Sequence, residues 1–396
     1  MNTRRRLALL IVALPIAFYG YACSSDSTDN PPEEDGGPGN ETGPNPGMDS
    51  STTVTDSSTG TDSSTKLDAG DANDGAVPVV CIGNPLTADG GTFDGGVTLD
   101  AAATTQIVTV LAGDFLDGPQ WYDADGGFLV YSEYNTTAPQ ILRVAPDGGA
   151  NVPFRTSGFN AANGPLGSAV RNGVLVTAVN AQNGTGKPQF YLSASDGGDA
   201  GAIALGDSGS SSPNDLVVGP ANNLYFTDGQ YQITGNVGVA GLYRVAGDGG
   251  VFAVQQNFGR ANGIAISPDL ATLYVGIGPL NGGDPDPKAV KRYTVSATGA
   301  VGAATDFLLA ADLVDVPDGM AVDVGGNLWV AEAVAGGGGG GRVEVFSPAG
   351  KKLGTIPFAA PQRPTSVAFG GADSKTLFVT TETGVFTYAS RCAGVR

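Results

Sequence analysis

Four oxygen-bearing side chains, Asp117, Asn214, Asn262 and Asp318, stand at one phase of a strand unit repeated along this 396-residue chain. Two carboxylates and two carboxamides form a hard-oxygen set. Brought together, they suit one divalent cation with positions left for water or substrate. Calcium fits such a set first, with magnesium, manganese and zinc as the other candidates. Any one Asn or Asp ahead of a strand would be read as a turn residue. Four at the same phase call for a shared reason, because these residue types are depleted in strands. The remaining two units place Leu166 and Thr365 at that phase.

The chain has no histidine. That excludes Ser-His-Asp and Cys-His nucleophilic catalysis and zinc sites of the His-Glu-x-x-His type. Its three cysteines, Cys23, Cys81 and Cys392, are too few for a four-cysteine metal site. A net charge of −19 leaves no basic stripe for phosphates, so nucleic acid is not an expected partner.

The elements that must position the four residues are strands. Asn214-Asp-Leu-Val-Val leads through Gly219-Pro220 to Asn223-Leu-Tyr-Phe-Thr, and Asn262-Gly-Ile-Ala-Ile leads to Thr272-Leu-Tyr-Val-Gly. Asp318-Gly-Met-Ala-Val leads to Asn327-Leu-Trp-Val-Ala, and Thr365-Ser-Val-Ala-Phe to Thr376-Leu-Phe-Val-Thr. Upstream, Asp117-Gly-Pro-Gln-Trp and Leu166-Gly-Ser-Ala-Val open two further units. The starts recur about every 48 residues, with one step of about 56 before Asp318. Third and fourth strands follow, such as Leu242-Tyr-Arg-Val and Phe252-Ala-Val-Gln. This pattern predicts an all-β, six-bladed β-propeller in which the first strand of each blade lines the central channel. The last unit lacks a fourth strand, and Gln106–Leu111 is expected to supply it and close the ring. Asp-Gly-Gly triplets beginning at Asp125, Asp147, Asp196 and Asp248 fall between strands and are read as turns needing positive φ, not as calcium repeats.

Ahead of the repeats lies a targeting segment. Arg4–Arg6 form a basic start, and Leu7–Phe18 an apolar stretch too short to span a membrane. The segment ends at Gly20-Tyr21-Ala22-Cys23, which is similar to the cleavage box of bacterial lipoproteins. Residues 1–22 are therefore expected to be a signal peptide and Cys23 a lipidated anchor. Residues 23–78, poor in large apolar side chains, read as a disordered tether. The folded body is expected over 79–396, at the outer membrane or cell envelope and as a monomer. In an exported protein Cys81 and Cys392, at the two ends of that body, are expected to pair.

Pro213-Asn214-Asp215, Asn262-Gly263, Pro317-Asp318-Gly319-Met320, Gly118-Pro119-x-Trp121 and Pro364–Gly371 together resemble the blade motifs of the gluconolactonase/regucalcin (senescence marker protein, luciferin-regenerating enzyme-like) family. The resemblance covers about residues 105–390. It implies a six-bladed propeller with one catalytic divalent metal, often calcium, that hydrolyses lactones and in some branches organophosphates. It further implies Asp318 and Asn262 as metal ligands and Asn214 as a ligand or substrate contact. Asp117 stands where the family has a Glu, one methylene longer. Ser212 stands where the animal lactonase branch has an Arg. The function implied is a metal-dependent hydrolase of the lactonase type acting on a small lactone or ester at the axis. Asp318 would bind metal and move a proton. Asp228, at the end of the strand after Asn214, is expected near the mouth as a substrate contact. The two departures favour an alternative, a surface-tethered propeller serving as a binding or scaffold module.

Overall fold

The computed structural model describes residues 97–98, 104–109, 115–134, 138–160, 163–180, 189–206, 208–230, 239–279, 288–333 and 340–395. The expected leader and tether, with Cys23 and Cys81, lie outside the described residues. The chain divides into units 1–72 and 73–396, and everything described below belongs to the second.

Among the described residues, twenty-five strands form six sheets. Two come before the first full blade: β1 (Val97–Thr98) and β2 (Thr104–Thr109). Blade one is β3 (Phe115–Tyr122), β4 (Phe128–Tyr134), β5 (Gln140–Val144) and β6 (Val152–Arg155). Blade two is β7 (Pro165–Arg171), β8 (Val174–Val179), β9 (Gln189–Ser193) and β10 (Asp199–Ala204). Blade three is β11 (Pro213–Val218), β12 (Leu224–Asp228), β13 (Gly241–Val245) and β14 (Val251–Gln256). Blade four is β15 (Arg260–Ile266), β16 (Thr272–Gly278), β17 (Ala289–Val295) and β18 (Val301–Leu308). Blade five is β19 (Pro317–Val322), β20 (Leu328–Glu332), β21 (Arg342–Phe346) and β22 (Lys352–Pro357). Blade six is β23 (Pro364–Gly370), β24 (Thr376–Thr381) and β25 (Gly384–Ala389).

Each blade is an antiparallel meander, and β2 pairs antiparallel with β25 to complete blade six. The inner strands touch in an unbroken ring, β3 to β7 to β11 to β15 to β19 to β23 and back to β3. The predicted six-bladed propeller with an N-terminal closing strand is the architecture observed. Strand β1 adds a fifth, parallel member on β22. Two residues carry no periodicity, so the sequence pattern gave no sign of it.

Burial explains the strand composition. Second strands are packed on both faces and are buried along most of their length, and throughout in Leu-Tyr-Phe-Thr-Asp of β12 and Leu-Trp-Val-Ala-Glu of β20. Outer strands such as β10 and β18 are largely exposed and are built from Ala, Gly, Thr and Asp. The core is shared between neighbouring blades. Trp329 and Val345 of blade five meet Phe369, Val379 and Tyr388 of blade six in one cluster. Phe190 of blade two meets Phe226 of blade three edge-on at 4.9 Å. The Asp-Gly-Gly triplets are turns, as read: φ is 53° at Asp125, 88° at Gly126 and 90° at Gly127.

Closure is visible in the packing of β2. Val108 is buried beside Phe378 and Val385 of blade six and Leu129 and Leu142 of blade one. A Val108→Asp variant would set an unpaired carboxylate in that seam. It is expected to destabilise the domain by on the order of 3 kcal/mol or more. Equilibrium denaturation measures this, and an unchanged midpoint would show that the seam does not need β2.

Candidate metal centre at the propeller axis

Every inner strand breaks register just where the phased residues lie. The pairing shifts between Asp117 and Gln120, Pro165 and Ser168, Pro213 and Leu216, Ala261 and Ile264, Pro317 and Met320, and Pro364 and Ser366. A bulge re-aims side chains that a regular pleat would send into the sheet. Asp117, Asn214, Asn262 and Asp318 all sit in these bulges.

The approach of the strands there is close. A Cβ added at Gly118 would lie 2.3 Å from the carbonyl oxygen of Leu166, and one at Gly263 would lie 1.9 Å from that of Asp318. Hydroxyls of the second strands tie neighbouring blades at the same level. Ser132 donates to the Leu166 carbonyl at 2.6 Å and Thr227 to the Asn262 carbonyl at 2.5 Å. Thr365 is part of this scaffolding, since its Oγ1 donates to the Leu116 carbonyl at 2.6 Å. Leu166 is buried and apolar. The oxygen set is therefore supplied by the other four blades.

Asp117 Oδ1 accepts the Gly118 amide at 2.7 Å, and Asp318 accepts the Asn262 side chain and the Gly319 amide. A further carboxylate, Asp215, completes the group. It accepts the Leu216 amide at 2.9 Å and, across the blade boundary, the Ile264 amide at 3.2 Å. Four of the six blades carry Gly immediately after the phased residue, whereas blade three carries Asp215 and blade six Ser366. That exception was the sequence signal for Asp215, and it went unread.

Three carboxylates so placed oppose one another's ionisation. Burial pushes Asp117 up to about 7. Burial, then the Asp117 charge, pushes Asp215 up to about 7. Asp318 is raised well above the ordinary carboxylate range by burial, then by Asp117 and Asp215. No lysine or arginine among the described residues offsets these charges. Uncompensated carboxylates beside two carboxamides are the donor chemistry a divalent cation takes, although among the described residues no three acidic side chains form a group arranged to hold one.

Behind this group an axial cavity of about 540 Å³ begins at Asp215 and Ser366. It is walled by Leu216, Ile264, Met320 and Val367 and ends among the turns at Asp123, Gly173 and Leu270. Residues 135–137, 181–188, 231–238, 280–287 and 334–339 lie outside the described residues.

Asp228 is not at a mouth. It has no exposed surface, and its Oδ2 accepts Ser210 Oγ at 2.8 Å and the amides of Ser211 and Ser212 at 2.6 and 2.8 Å. The expected substrate contact is thus a wall residue that fastens the connection leading to Asn214. Cys392 is disulfide-bonded; Cys81, its expected partner, lies outside the described residues.

A six-bladed propeller with a bulged ring of oxygen donors at its axis defines the class. The SMP-30/Gluconolactonase/LRE-like region matches residues 117–383, from Asp117 to just past β24, and the chain belongs to that family. A gluconolactonase of Zymomonas mobilis is 26% identical over 330 residues, covering 72% of this chain and 82% of the relative. A pentonolactonase of Haloferax volcanii is 32% identical over 172 residues, 43% of this chain and 53% of the relative. Among solved structures, a gluconolactonase of Xanthomonas campestris superposes with a TM-score of 0.57 at 24% identity, covering 72% of this chain and 89% of that one. A regucalcin from Agrobacterium tumefaciens, described as calcium-binding, gives 0.51 at 18% identity, covering 76% and 95%.

The raised carboxylates set a pH dependence. Asp117 and Asp215 move from 3.8 to about 7 on folding, so between these values the folded state holds protons that the unfolded state releases. Without a cation, stability is expected to fall as pH rises through this window and to level off above it. Asp215→Asn should flatten the slope. Denaturation in chelator at a series of pH values decides it, and a stability that climbs over that range would contradict the electrostatics described.

Proposed function

We propose that this protein is a divalent-cation-dependent lactonase whose site is the bulged axial ring. The observation that carries the reading is the convergence of Asp117, Asp215 and Asp318 on one axis, with no basic side chain among the described residues to offset them, beside Asn214 and Asn262. Calcium is the ion proposed, held by Asp117, Asn214, Asn262 and Asp318. When bound, it would polarise a lactone carbonyl and acidify an attacking water.

The chain's own part is proton transfer and orientation. Asp318 is the general base: it takes the proton of the water that adds to the carbonyl carbon. The same proton then passes to the ring oxygen as the acyl C–O bond breaks, leaving a hydroxy acid. In a chain with no histidine a carboxylate is left to do that work. Asn262 hydrogen-bonds the Asp318 carboxylate and holds its orientation. The relatives named as gluconolactonase and pentonolactonase support a sugar-type lactone as substrate. Ser212 is buried, with its amide on Asp228, so nothing longer than a hydroxymethyl group is available from that position.

Calorimetric titration with calcium, followed by a panel of lactones, tests the reading. Micromolar binding with turnover is expected, and both should be lost in Asp318→Ala. Absence of both in the wild type would leave a propeller without this chemistry. The leader motif carries a separate proposal, that Cys23 is lipidated and tethers the domain to the cell envelope. Labelled palmitate should enter the wild-type chain and not Cys23→Ala, and incorporation into both would place the anchor elsewhere.

A further inference from the structure

The connections leading to Asn214 and Asp318 are fastened in the same way. Asp228 ends β12 opposite Pro213 and takes the amides of Ser211 and Ser212. Glu332 ends β20 opposite Pro317, and its Oε1 takes the amides of Val314 and Asp315 at 2.8 and 2.9 Å. Both carboxyl groups belong to residues with no exposed surface. The amides they hold lie two to four residues before the axial side chain.

Glu332 carries something Asp228 does not. Glu344 of β21, equally buried, lies within hydrogen-bond reach of it, and Oε2 of each has no other protein donor. Two acceptor oxygens in contact require a proton between them. The cations of this corner, Lys352 and Arg342, both reach Glu344 Oε1. The shared proton therefore rests on Glu332. The other charged groups around the connection are turned elsewhere: Lys288 donates to the Val314 carbonyl at 2.5 Å, and Asp315 Oδ1 accepts the Val316 amide at 2.8 Å.

We propose that Glu332 is a positioning residue for the axial site: sharing a proton with Glu344, it holds Val314 and Asp315 and so sets where Asp318 stands. Loss of that proton puts two charges in contact, parts the pair and slackens the connection. Burial, then the Glu344 charge, pushes the Glu332 carboxyl up to about 7, against the pull of the two amides. The stabilisation is thus present at acid pH and is lost as pH rises through neutrality. The consequence for cation binding rests on the reading of Asp318 as a ligand; the latch itself rests on the carboxyl pair.

Glu332→Gln keeps an acceptor for both amides and gives Glu344 a permanent N–H donor, whereas Glu332→Ala removes both. Calcium affinity would be measured for wild type and both variants from about pH 6 to about pH 8.5, with amide exchange at Val314 and Asp315 on the same samples. The affinity ratio of Glu332→Gln to wild type is expected to rise several-fold across that range, with Glu332→Ala weak throughout. Protection of the two amides, corrected for intrinsic exchange, should fall with pH in the wild type and not in Glu332→Gln. A ratio that stays constant, or wild-type affinity in Glu332→Ala, overturns the proposal. Should the wild type take no calcium at any pH, the metal reading fails and exchange alone decides the latch. Protection lost with pH only in the wild type sustains it, and protection that is the same in both overturns it.

Discussion

Six strands can deliver side chains to one point only if their backbones come nearly into contact, and that steric limit governs the rest of the molecule. The position after each phased residue faces the next blade. At Gly167 an added Cβ would lie 2.5 Å from Asp215 Oδ1, and at Gly319 it would lie 1.9 Å from Ser366 Oγ. The two blades that carry a side chain there, at Asp215 and Ser366, are each preceded in the ring by a blade that carries none. Glycine at 118, 167, 263 and 319 thus sets the channel radius, and the radius sets how near the axial oxygens stand.

From that spacing follows the electrostatic character of the centre. Carboxylates drawn together by backbone packing cannot all ionise at low cost in a buried site: burial raises Asp117, Asp215 and Asp318, and repulsion adds to it at Asp215 and Asp318. A cation would remove the conflict, and with it the raised proton affinity. The same packing that makes the ring rigid makes the cation-free ring unfavourable. The closing strand β2, the shared interblade core and the disulfide at Cys392 are what the fold sets against it.

Period and composition showed the blades, because each second strand is a buried run ahead of a turn and each unit repeats it. They singled out the four axial Asn and Asp positions too, since these residues at one phase contradict strand propensity. What they did not show depends on contacts between distant residues. Asp228 and Glu332 occupy the same strand end, and the linear reading set Asp228 near the mouth. Only the folded connection, bringing Ser211 and Ser212 or Val314 and Asp315 back over them, reveals carboxylates spent on backbone amides. Asp215 was hidden for a different reason. Its neighbour Asn214 drew the chemical reading, while the meaning of the glycine-to-aspartate exception appears only once Gly167 is seen against it.

The axial ring is then better described as two shells of one construction. Bulges aim the donors, and buried acceptors at the ends of β12 and β20 fix the segments from which two of those donors spring. In blade three the acceptor is a lone aspartate held by four donors, Ser210 Oγ and the amides of Ser211, Ser212 and Gln230. Blade five uses a glutamate with a second carboxyl against it, so the Asp318 side of the ring hangs on a proton while the Asn214 side does not. A carboxamide such as Asn214 has no protonation state to match. Asp318 has one, and so does the carboxyl that supports its connection, so its charge and its support both answer to pH.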